Sequence, residues 1–377
     1  PSLKERIVIM GFQTVFFLRS SGQIINVIPD KYVRSKAERT RLCPDFPPDD
    51  VSFRYFKSDI PVDPGAHRAV FSDPAHPPVI AVQSGVPLTL AFWRDPFLEA
   101  KAKFKTIIVD MCDGLGDNLF RAASVSAAAR KYPELRFFCK VDPLYRPVMA
   151  MCPEIVLFDS YEAHGLDPAQ CGTIKLNGGH LWDARGAGFS KSAHYGLFFD
   201  LPHVVYNTRL ELPPDFAEGF SGFIKKYHLK KEGQYVVLQL RTKDTSDRGW
   251  SIANVLELAR MIRAEKELSI LFLGDPMDMP EDNPNIVNLC GKTTWLETVY
   301  LLTLASKIIC IDSAVMHLCR ALSLPYFCLW GHTDPLRTLG VPAGPQDIGS
   351  NYGTPLSLMS SITPLHVFNR TFTGKSE

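Results

Sequence analysis

Apolar residues in this chain fall into two series of short, nearly unbroken runs, and each run is followed by a stretch of helical period. A buried strand of a parallel sheet reads as such a run, so the rhythm predicts alternating strands and helices. In the first series, residues 106–110 (TIIVD) predict a strand, and Gly114 and Gly116 supply a turn. The alanine-rich stretch 119–131 predicts a helix, with Asp117 placed to cap it. Residues 136–140 return as a strand, 145–151 as a helix and 155–158 as a strand, while 170–210 lose periodicity and are expected to line a cleft. The second series starts after Lys230. Strands are predicted at 235–239, 269–274, 286–289, 307–311 and 326–330, and helices at 251–264, 295–305 and 314–322. Thr294 and Glu297 have the spacing of a capping box.

Two repeats of this kind predict an α/β fold of two Rossmann-like domains, with a boundary near 210–230 and a ligand cleft between them. Residues 1–100 differ. Short strand candidates at 7–18, 23–27, 69–71, 79–82 and 88–92 are separated by Pro and Gly. They predict a β-rich or mixed accessory module. The expected division is 1–100 for this module, 101–225 and 226–350 for the two α/β domains, and 351–377 for a tail that packs back across them.

Composition narrows the function classes. With 377 residues, 46% of them hydrophobic and 21% charged, the chain has apolar material for at least two cores. A formal charge of +1 gives no broad nucleic-acid-binding surface. No run has the length and purity of a membrane span, and no secretory cleavage pattern is read at the start. The nine cysteines form no CxxC pair and no zinc spacing. A cytoplasmic protein without a metal is therefore expected, with room for peripheral contact at a membrane surface.

Three segments carry a more specific signal: GLGDNLFRAASVSAAARKYP at 114–133, LQLRTKDTSDRGWSIANVLELARMI at 238–262, and NIVNLCGKTTWLETVYLLTLASKIICIDSAVMHLCRALSLPYFCLWGHTDPLRT at 285–338. In order and separation they resemble the bacterial ADP-heptose:lipopolysaccharide heptosyltransferases, glycosyltransferase family nine. The resemblance spans about 104–370. It implies a GT-B fold, a nucleotide-diphosphate sugar donor such as ADP-heptose, no further cofactor, and inversion at the anomeric carbon. It also implies a bacterial glycan acceptor and work at the inner face of the bacterial inner membrane. Residues 1–100 have no counterpart in the family's usual core, which keeps a protein acceptor in view.

The resemblance also implies roles for single residues. Asp117 matches the position of the catalytic base, although an aspartate at a helix start is also a common cap. Gly114 and Gly116 belong to the acceptor-side loop, where small residues permit close backbone approach. Arg248 matches a basic position that contacts donor phosphate, and a guanidinium suits a departing diphosphate. Arg241, Thr242 and Lys243 would supplement that field. Asp312 matches a contact to the donor sugar, and Ser313 a hydroxyl at a helix start that binds phosphate. His317 either orders this loop, meets phosphate, or packs as a buried histidine. Gly331 and Thr333 match a donor-binding loop in which Asp334 also lies. His332 is not assigned as a metal ligand, and Asp275 and Asp278 are poorly registered. An inactive nucleotide- or carbohydrate-binding scaffold is the alternative from another functional class.

Overall fold

The computed structural model describes residues 11–18, 24–29, 51–58, 70–71, 79–81, 87–89, 94–111, 113–176, 191–201, 204–229, 235–241, 249–266, 268–276, 285–331, 333, 335–349 and 359–374. Among the described residues, six strands precede the first helix. Strands β1 (Gly11–Leu18), β2 (Ile24–Pro29) and β3 (Val51–Ser58) form an antiparallel sheet in the order β2-β1-β3. Strands β4 (Val70–Phe71), β5 (Val79–Ala81) and β6 (Pro87–Thr89) form a second antiparallel sheet. The sequence pattern did not predict β3.

Helix α1 (Arg94–Lys103) straddles residue 100 and leads into the first parallel sheet, although prolines and charges hid it from the pattern. Its Phe97 and Ala100 join a core with Tyr132, Phe137 and Phe199. Strands β7 (Thr106–Met111), β8 (Arg136–Val141) and β9 (Cys171–Lys175) run parallel in the order β8-β7-β9. The strand expected at 155–158 is reduced to one bridge, Cys139 to Leu157, on the outer side of β8. Conversely, β9 lies in the stretch that lacked periodicity. Between β7 and β8 runs α2 (Leu115–Lys131). Its alanines let it pack closely, and Asp117 in its first turn and Arg130 and Lys131 in its last complement the helix dipole. After α3 (Arg146–Met149), α4 (Lys191–Phe198) lies along α2. It is tied there by Lys131 Nζ to the Asp200 carbonyl (2.6 Å) and by Tyr132 Oη to the Phe199 carbonyl (3.1 Å).

The second sheet follows α5 (Ser221–Lys226) and has six parallel strands. These are β10 (Tyr235–Gln239), β11 (Ser269–Phe272), β12 (Ile286–Asn288), β13 (Ala305–Ile311), β14 (Phe327–Leu329) and β15 (Asp347–Ile348). Their order, β12-β11-β10-β13-β14-β15, reverses direction between β10 and β13. That reversal is the topological switch point at which doubly wound sheets hold ligands, beyond the carboxyl ends of the strands. Helix α6 (Ile252–Glu265) starts at Ser251, whose Oγ accepts from the Asn254 amide at 3.1 Å. In α7 (Trp295–Leu304) both halves of the expected capping box form. The chain then passes through α8 (Ala314–Ala321) and α9 (Pro335–Leu339). Helix α10 (Pro364–Phe368) lies against α6, and its Val367 and Phe368 share a core with Ile362, Trp250 and Leu258. Trp250 Nε1 donates to the Ile362 carbonyl at 3.0 Å. The described part of the tail thus packs on the outer face of the second sheet.

Candidate active site

The loop expected to face the acceptor lies at the carboxyl end of β7. Gly114 is the N-cap of α2, with φ −63° and ψ 159°, so the helix starts at Leu115. Asp117 is therefore in the first turn rather than at the cap expected from the sequence, and it makes no capping hydrogen bond. Its carboxylate is half-buried. Tyr195 Oη donates to Asp117 Oδ1 at 3.5 Å, and Lys191 Nζ stands 3.9 Å from the same oxygen. One turn further along α2, Arg121 is wholly buried. It is ion-paired with Asp113 and lies over the Tyr195 ring, 5.0 Å from its centroid. Burial pushes the Tyr195 phenol well above its ordinary value, and the Asp117 charge adds to this, so Tyr195 stays a hydrogen-bond donor.

Of the residues expected on the donor side, those described lie at the carboxyl ends of strands of the second parallel sheet, around its switch point. Ser313 is the N-cap of α8, yet its hydroxyl makes no cap bond; it donates to Gln239 Oε1 at the end of β10. Gln239 Nε2 in turn donates to the Arg241 carbonyl at 2.8 Å. This polar stitch closes the gap between β10 and β13. Asp312 is buried beside it, and His317 Nε2 lies 3.8 Å from Asp312 Oδ1. Gly331 and Thr333 follow the end of β14, so they stand on the same carboxyl edge of the sheet. Arg248, Thr242, Lys243, Asp278, His332 and Asp334 lie outside the described residues.

His317 joins the two edges. Its ring packs edge-on to Phe120 of α2, with centroids 4.7 Å apart, and to Tyr206 at 5.7 Å. A Cβ on Gly116 would sit 2.6 Å from its Cδ2. Real Cβ atoms do not come so close, so Gly116 is glycine because the imidazole occupies that space. Only 3% of His317 is exposed, and burial pushes its pKa down to about 4 even though Asp312 opposes the shift. The desolvation cost wins, the ring is neutral at neutral pH, and its contact with Asp312 is not an ion pair. Through it, the first turns of α2 and α8 face one site, and Asp117 shares that site with Asp312 and Ser313. Gly114 has open space where a side chain would begin.

Lys191, Tyr195, Arg121 and Gln239 were not singled out from the sequence. Arg121 carried a signal, since it stands four residues after Asp117 on the same helix face. The other three are brought in by tertiary packing. Among the described residues, no group of three or more His, Cys, Asp or Glu is arranged to hold a metal ion. The described cysteines are unpaired and mostly buried. Among the same residues, no helix is long and apolar enough to cross a membrane.

Comparison with known proteins agrees with this architecture. Residues 199–355 match the family model described as glycosyltransferase family 9 (heptosyltransferase). No curated protein matches the chain. Among solved structures, the family 9 glycosyl transferase of Veillonella parvula aligns with a TM-score of 0.52 at 14% identity, over 71% of this chain and 96% of its own. The dodecameric, iron-containing glycosyltransferase TibC of enterotoxigenic Escherichia coli aligns with a TM-score of 0.50 at 13% identity. That match covers 93% of this chain and 81% of TibC, so it reaches into the first hundred residues. The Escherichia coli ADP-heptose lps heptosyltransferase II aligns at 16% identity with a TM-score of 0.47, over 70% of this chain and 97% of its own. Residues 199–355 thus resemble glycosyltransferase family 9 (heptosyltransferase), and the chain as a whole has a GT-B-type α/β fold.

Proposed function

We propose that this chain is an inverting heptosyltransferase that moves heptose from an ADP-heptose-like donor to a hydroxyl of a bacterial glycan. The observation that carries this reading is the position of Asp117. It is a half-buried carboxylate on the first α/β half, set across the Gly116–His317 contact from the switch point of the second. A donor bound over Gln239, Asp312 and Ser313 would turn its anomeric carbon toward that carboxylate. The acceptor oxygen attacks the carbon from the face opposite the diphosphate, and its proton passes to Asp117. The carbon–oxygen bond to the diphosphate breaks, and the charge left on the phosphates is met by Arg248, assigned from its motif position. Backbone amides at Gly331, with the Thr333 hydroxyl, add neutral donors at the same edge. Burial of both substrates between the halves would align them and exclude water as a competing acceptor.

A polypeptide acceptor is the second reading. It is favoured by the six strands described before residue 94, which add to the two α/β halves. The donor chemistry is then the same, and only the attacking hydroxyl changes.

One experiment tests both. The purified chain is incubated with ADP-heptose or a panel of other nucleotide sugars, together with glycan or polypeptide acceptors, and products are read by mass spectrometry. A heptose mass added to the glycan, with inverted anomeric configuration by NMR, supports the first reading; addition only to the polypeptide supports the second. Transfer only from a donor with another sugar would refute the heptose assignment.

A further inference from the structure

A general base must keep one oxygen fixed and leave the other open to the incoming hydroxyl. Both contacts to Asp117, from Tyr195 Oη and Lys191 Nζ, fall on Oδ1. Among the described residues, no hydrogen-bond or ion-pair partner falls on Oδ2. We propose that Lys191 and Tyr195 are positioning residues that hold Oδ1 of Asp117 and turn Oδ2 toward the acceptor. This inference rests on the assignment of Asp117 as the base.

The two residues are four apart on α4, so one helix face presents both. They differ in kind. Lys191 is 29% exposed and supplies a cation beside a carboxylate that is itself 30% exposed. Its Nζ also lies 5.5 Å from the Phe120 ring centroid, which limits where the ammonium can go. Tyr195 is fully buried and supplies a neutral donor at a fixed place. Its ring rests on the Arg121 guanidinium, which is anchored to Asp113 in the loop that begins α2. The chain from Asp113 through Arg121 and Tyr195 thus returns to Asp117, and it ties the acceptor-side loop to α4.

Helix α4 is held in place for this task. A Cβ on Gly196 would sit 2.6 Å from Val204 Cγ2, so the chain beyond α4 folds back tightly against it. Asp200, with φ 53°, makes that turn, and its carbonyl accepts from Lys131. Lys191 and Tyr195 are therefore displayed from a helix fixed at its far end.

The test uses the full chain with ADP-heptose and whichever acceptor it glycosylates. Tyr195→Phe keeps the ring on Arg121 and removes only the hydroxyl; Lys191→Met keeps the aliphatic stem and removes the charge. Each should lower kcat about tenfold, the scale of one polar contact to a charged carboxylate, with little change in donor KM. Lys191→Arg, which restores the cation, should recover most of the loss. Wild-type kcat in both Tyr195→Phe and Lys191→Met, alongside an inactive Asp117→Asn, would overturn the positioning role alone. An Asp117→Asn protein as active as the wild type would remove the base assignment and this inference with it.

Discussion

Replacing Gly116 with alanine tests whether the two α/β halves meet through His317. The added methyl would lie 2.6 Å from His317 Cδ2, 3.4 Å from Nε2 and 3.5 Å from Cγ. The ring has little room to retreat, because Phe120 and Tyr206 flank it and Asp312 stands 3.8 Å from Nε2. Overpacking of this kind costs about 1–3 kcal/mol. Against it, alanine gains at most about 1 kcal/mol over glycine in a helix. With the full helix gain the balance is a net loss of about 0–2 kcal/mol, or a fall of up to about 3 °C in melting temperature for a chain of this size. The decisive arm is the same substitution in a His317→Ala background. There the methyl enters the space left by the imidazole, the clash is gone, and only the helix preference remains. Gly116→Ala should then be neutral or stabilising. Melting temperatures of the four proteins in the cycle, measured by calorimetry, give the coupling between the two sites. If Gly116→Ala lowers the melting temperature equally in both backgrounds, the two residues do not touch and the junction between the halves is wrong as described.

Two further outcomes follow from the same structure. Because burial holds His317 at about 4, below the ordinary histidine value of 6.5, the unfolded chain takes up a proton before the folded one does as the pH falls. Stability from this residue is complete above about pH 6.5 and declines as the pH drops toward 4, by about 2 kcal/mol between pH 7 and pH 5; His317→Gln should flatten that part of a stability–pH curve, and an unchanged slope would contradict a buried neutral ring. Thr294→Ala removes the side chain that accepts from the Glu297 amide at 3.2 Å, and should cost about 1 kcal/mol; it is read as faster amide exchange in the first turn of α7, and unchanged exchange there would refute the cap.

The parts of the fold legible in the sequence are those whose signal is local. The runs at 235–239 and 307–311 are apolar except for Gln239 and Lys307 at their ends, because the middles of β10 and β13 are buried, and the structure places the two strands side by side at the switch point. The Thr294–Glu297 box was likewise readable, since both partners lie within one turn. Strand β9 was not. Its five residues alternate between buried and exposed positions and include Gly172, which leaves room for the Phe104 ring. Helix α1 was hidden because Pro96 and four charged residues at 94, 95, 99 and 101 obscure an apolar side made of Phe97 and Ala100. In the candidate site, motif position pointed to Asp117, Asp312 and Ser313. The sequence could not say that Ser313 spends its hydroxyl on Gln239, or that Gly116 is small to admit His317. Both facts join residues far apart in the chain.

The central claim is that Asp117 takes the acceptor proton while the second half holds the donor. Its most direct test is the transfer rate of Asp117→Asn at saturating donor and acceptor, measured beside the dissociation constant for ADP-heptose. The amide keeps the size of the side chain and cannot act as the base. A loss of about 10²–10⁴-fold in rate with donor affinity unchanged is the expected result. A folded Asp117→Asn protein that transfers heptose at the wild-type rate would contradict it.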